Sequence, residues 1–72
     1  MHAYENMTDD ERLVCKKSNE LDVGEREVFR RAYLDFRPNT KCLDKTVDVA
    51  YKEFIKTKTI AWWVKDYCKK YL

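Results

Sequence analysis

The residues best equipped for recognition chemistry lie between Thr59 and Leu72. Ile60, Trp63, Val64, Tyr67, Cys68 and Tyr71 recur at helical spacing and make one apolar stripe. Trp62 falls outside it. At about 100° per residue it shares the opposite face with Lys58, Lys65, Asp66 and Lys69. A Trp among lysines on a solvent-facing side is a candidate contact anchor, because Trp, Tyr and Arg dominate interface energies. Basic residues interleaved with aromatic rings can also stack bases and neutralise phosphates of a single-stranded nucleic acid. Trp62, Lys58, Lys65 and Lys69 are therefore the first candidate partner-binding residues.

A second basic set precedes them. Arg26, Arg30 and Arg37, with Arg31, lie on one expected helix, and guanidinium groups suit bidentate contacts to phosphate or carboxylate. Glu25, Glu27, Asp35, Asp44 and Asp48 interrupt that surface, so a solvated face of mixed charge competes with a phosphate groove. A DNA-reading helix-turn-helix fits poorly. Its turn would hold Pro38-Asn39, and its reading helix would open on Lys41, Asp44, Lys45 and Asp48, whose carboxylates repel a DNA backbone.

Catalytic equipment is sparse. His2 is the single histidine and lies at the start of the chain. Glu25 with Glu27, and Asp44 with Asp48, read as surface charge rather than acid–base pairs. There is no Gly-rich phosphate loop, no G-x-S-x-G and no paired metal-ligand motif. Cys15, Cys42 and Cys68 are separated by 27 and 26 positions, with no C-x-x-C pair. Their odd number precludes a complete internal disulfide set. Cys42 and Cys68 border apolar stripes and read as small buried hydrophobes; Cys15, beside Lys16 and Lys17, reads as the more reactive thiol. No catalytic, cofactor-binding or metal-binding residue is assigned, and no enzyme activity is expected.

Positioning these side chains requires helices. One Gly and one Pro in 72 residues argue strongly for helices over a turn-rich β fold. Met1–Met7 reads as a loose leader and residues 8–72 as a single helical domain. Thr8-Asp9-Asp10-Glu11 matches a capping box and opens a helix over about Asp9–Ser18, with Leu13 and Val14 inward. Asp22-Val23-Gly24-Glu25 reads as the cap of a second helix, with Val28, Phe29, Ala32, Tyr33 and Phe36 as its stripe. Pro38 stops it. Asn39 or Thr40 would cap a third, striped by Leu43, Val47, Ala50, Tyr51, Phe54 and Ile55. Between Ile55 and Ile60 the apolar phase slips by about 140°, so a break is expected at Thr57–Thr59, where two Thr residues favour caps.

The expected fold is all-α: three or four short helices around an aromatic-rich core of Phe29, Tyr33, Phe36, Leu43, Val47, Tyr51, Phe54, Trp63 and Tyr67. Charge is unevenly spread. Residues 1–24 hold six acids and three bases, residues 25–72 seven acids and twelve bases, for a net +2 overall. That total is too small for a nonspecific DNA coater but leaves room for a local basic surface. No apolar run approaches the roughly 20 residues of a membrane span, and the first residues lack a signal-peptide pattern. The resulting expectation is a small non-catalytic protein-binding module of the cytoplasm, an inhibitor, adaptor or regulator of a larger protein machine. That profile suits a virus- or phage-encoded antagonist of host machinery. Nucleic-acid binding through the Arg and Lys faces is the alternative, and a secreted, disulfide-linked helical domain the second. A core this small also suggests a homodimer.

Overall fold

In the computed structural model, which describes residues 6–38 and 41–70, Thr8 opens the first helix, α1 (Asp9–Leu21). Both halves of the capping box form. The Thr8 hydroxyl accepts from the Glu11 N–H at 3.1 Å, and the Glu11 carboxylate accepts from the Thr8 N–H at 2.9 Å. The first turn also reaches a distant segment. The Thr8 hydroxyl donates to the Lys58 carbonyl at 2.8 Å, and Asp10 accepts from the Ile60 N–H at 2.9 Å. Asp10 and Glu11 also face Lys65 and Lys58 at 3.5 and 4.0 Å. One turn of α1 therefore pins the link between the last two helices.

Asp22 has a different role from the one its sequence suggests. It adopts a left-handed backbone (φ 56°) and closes α1, three residues beyond the expected Ser18. Val23 N–H bonds back to the Ser18 carbonyl at 3.0 Å, the wrap typical of a left-handed helix end. An N-cap needs extended backbone, so Asp22 cannot also start the next helix. That task falls to Gly24, which is extended but offers no side-chain cap to α2 (Glu25–Phe36). A Cβ on Gly24 would meet nothing within 4 Å. Gly24→Ser should therefore raise stability by about 0.5–1 kcal/mol, by adding a cap and removing unfolded-state freedom. The midpoint of urea unfolding should rise accordingly, and an unchanged or lowered midpoint would reject this account.

The third helix, α3 (Leu43–Thr57), follows Cys42, whose backbone is left-handed (φ 63°) and whose side chain makes no cap bond. The expected caps, Asn39 and Thr40, lie outside the described residues. The break after α3 falls where the phase slip places it. Thr57 is the last helical residue, and Lys58 turns left-handed (φ 63°) with its N–H on the Phe54 carbonyl at 2.8 Å. The Thr57 hydroxyl accepts from the Thr59 N–H, and α4 (Trp62–Lys70) begins after Ala61.

The four helices form an all-α bundle, with no strand among the described residues. The second helix is central, packing on α1, α3 and α4, while α1 also packs on α4. Phe29 is fully buried at the junction. Its ring meets Tyr51 and Phe54 of α3, each at 5.4 Å, and Trp63 of α4 at 6.3 Å. Trp63 in turn meets Tyr33 at 5.4 Å. Leu43, Val47, Phe54 and Trp63 are buried as expected, with Tyr33, Tyr51 and Tyr67 packed partly buried against them. Val14, Val28, Ala32, Val64 and Cys68 complete the interior.

Three expectations about burial fail. Phe36 is 40% exposed, because it lies in the last turn of α2 where the core has ended. Ile55 is half exposed, at the margin of a helix that packs chiefly on α2. Cys42 is exposed, since its left-handed position precedes the first turn of α3 instead of lying within it. Conversely, Lys17 is buried, one turn after Val14 on the same face. Its ammonium is buried with its stem and meets the partly exposed Glu20 carboxylate at 2.9 Å.

Candidate contact surface

The end of α2 and the start of α4 meet side by side, and each exposes an aromatic ring there. Helical phase puts Trp63 and Val64 inward, which forces Trp62 outward. Trp62 is 62% exposed. Its ring and that of Phe36 are T-shaped, with centroids 4.7 Å apart and planes at 75°. Such an edge-to-face pair contributes about 0.5–1.5 kcal/mol beyond its buried area. Arg37, the C-cap of α2, holds its guanidinium 5.6 Å from the Phe36 ring centre, within cation–π range. Arg37, Phe36 and Trp62 thus form one exposed stack. Asp35 and Lys70 border it, 3.5 Å apart across the two helices, and Asp66 lies one turn beyond Trp62.

The other candidate residues are dispersed. Lys58 and Lys65 reach toward Glu11 and Asp10 of α1, and Lys69 shares a hollow with Lys65 on that side. Arg26 bridges to α3, donating to one Asp48 oxygen at 2.6 and 3.0 Å. That hydrogen bond, partly opposed by desolvation, raises the Arg26 pKa. Arg30 and Arg31 share Glu27, at 3.3 and 3.2 Å. Of the arginines read as contact residues, Arg37 is the one placed beside Trp62. Sequence periodicity found Trp62 but not Phe36, which it assigned to the core; the clue was Phe36's place two residues before Pro38, at a helix end.

The three thiols are free and occupy three environments: Cys42 exposed, Cys15 half-buried, Cys68 buried. Burial pushes the Cys68 thiol up to about 11, with Lys17 opposing and Glu20 adding to the rise. Since the thiolate is the reacting species, Cys68 should resist an aromatic disulfide reagent at mildly alkaline pH, while Cys42, exposed where Cys15 is half-buried, reacts first in place of the Cys15 expected from its flanking lysines. Mass mapping of labelled peptides should find Cys68 modified only after denaturant is added; early Cys68 modification would contradict its burial.

Among the described residues, no group of three or more His, Cys, Asp and Glu side chains is placed to hold a metal ion. Nor is any helix long and apolar enough to cross a membrane. No known protein family, curated protein or solved structure matches this chain.

Proposed function

We propose that this chain is a non-catalytic binding module that docks on a larger protein through the Arg37–Phe36–Trp62 stack. It would serve that partner as an inhibitor, adaptor or regulator. The observation that carries this reading is the exposed Trp62 ring held in a T-shaped pair with a second exposed ring. Leaving a Trp in water forgoes burial worth roughly 25 cal/mol per Å². Held by Phe36, the ring offers apolar area with little further ordering cost, the condition that favours an anchor. Arg37 and the Asp35–Lys70 pair would make the polar rim.

The nucleic-acid reading draws less support. Arg26, Arg30 and Arg31 already engage carboxylates of this chain, and a phosphate would have to compete with them. The deciding experiment is a pull-down from the native lysate with and without nuclease, comparing the parent chain with Trp62→Ala. A protein band that survives nuclease and is lost with Trp62→Ala supports docking through the stack. A band that disappears with nuclease, or that Trp62→Ala leaves unchanged, rejects it.

A further inference from the structure

Away from the stack, α1 and α4 lie side by side and each brings a cation pair at i, i+4 spacing to one hollow. Arg12 and Lys16 come from α1, Lys65 and Lys69 from α4. The hollow measures about 410 Å³, within the range of roughly 300–1,000 Å³ that small ligands occupy. Two carboxylates share it. Asp9, 96% exposed, is 3.8 Å from Arg12, and Asp10 is held by the Ile60 N–H and Lys65. Four cations against two acids leave the hollow positive. Lys16 and Lys69, one on each helix, carry no ion pair or hydrogen bond among the described residues. Neither is buried, so their position is not required by the core.

We propose that this α1–α4 hollow binds the linked phosphates of a polyphosphate chain, with Lys16 and Lys69 as direct ligands and Arg12 and Lys65 as supporting charges. Lysine is a flexible point charge with three donors and suits phosphate oxygens approached from several directions. The geometry favours a chain over a single anion. Each i, i+4 pair spans about 6 Å along its helix axis, so one tetrahedral anion cannot meet both rows along their length. A chain of linked phosphates can lie between them and neutralise each cation in turn. Asp9 opposes this binding from the rim, and its loss would remove a negative charge from the hollow.

The test is a titration of the isotope-labelled full chain with sodium tripolyphosphate at low salt, followed by backbone amide shifts. Sulfate and ATP are run in parallel. Saturable, one-to-one shifts gathered on α1 and α4 are expected, with sulfate at least about tenfold weaker, a difference of one unit in log Kd. The double variant Lys16→Ala, Lys69→Ala should weaken tripolyphosphate by about tenfold or more, while Lys45→Ala, Lys52→Ala on α3 changes it less than about twofold. Asp9→Asn should tighten binding by about two- to fivefold at low salt, where exposed charges are least screened. Equal binding of ATP and tripolyphosphate identifies the phosphate chain alone as the recognised group. Tighter ATP binding identifies a nucleoside triphosphate as its source. Shifts that fail to saturate, that spread equally to the α3 lysines, or that survive the Lys16/Lys69 double variant overturn the proposal, as does sulfate binding as tightly as tripolyphosphate.

Discussion

Phe29→Ala should remove a large share of the chain's stability and lower its melting temperature by tens of degrees. Phe29 is fully buried and its ring touches rings from both α3 and α4. Truncating a buried Phe typically costs about 3–5 kcal/mol, combining lost transfer energy with the cavity left behind. Native chains hold about 0.05–0.15 kcal/mol per residue, so that loss removes from about a third to all of the stability of a chain this size. In thermal terms the expected fall in Tm is about 12–40 °C. Two controls separate this from a general sensitivity to substitution. Phe29→Leu keeps an apolar group of related shape and should cost less than Phe29→Ala, while Ile55→Ala, half exposed, should stay within about 1 kcal/mol of the parent. Circular dichroism on heating makes the comparison. If Phe29→Ala melts with the parent, Phe29 is not the junction of the three helices.

Local chemistry was readable where it acts within one or two turns. The Thr8 box, the stop before Pro38 and the break at Thr57–Thr59 are set by neighbours in sequence, and each forms in the structure. The Asp22 role was misread because caps at both helix ends draw on the same residue types. A carboxylate side chain can cap a helix start, and an Asp backbone can also take the left-handed turn that ends one. Only the backbone angle separates the two. Periodicity likewise says which side of a helix is apolar but not where along its length the partner helices stop. Phe36 and Ile55 belong to their stripes and are nevertheless exposed for that reason. The clamp of Thr8 and Asp10 on Lys58 and Ile60 joins residues fifty apart, and no local pattern announces it. Trp62 occupies an intermediate case. Its outward direction follows from phase, whereas its contact with Phe36 and Arg37 exists only because α2 ends beside the start of α4.

Trp62→Ala and Trp63→Ala should therefore separate binding from folding, although the two residues are adjacent. Trp63 is 9% exposed and meets both Phe29 and Tyr33. Its truncation should cost about 3–5 kcal/mol, and partner binding should fall only as far as the folded fraction falls. Trp62 meets one ring and faces solvent, so its truncation should cost about 1 kcal/mol of stability, the worth of the edge-to-face pair. Its effect on the partner should be larger than its effect on the fold, about 2 kcal/mol or more, because a central aromatic anchor carries a disproportionate share of binding energy. Phe36→Ala should follow Trp62→Ala in both measurements, since without Phe36 the indole loses its support. Arg37→Ala, at the rim, should act mainly on the association rate and its salt dependence. The two quantities to set side by side are the denaturation midpoint and the amount of partner retained in the pull-down. A Trp62→Ala chain as unstable as Trp63→Ala would make Trp62 part of the core. A stable Trp62→Ala chain that retains its partner would instead move the contact away from the α2–α4 junction.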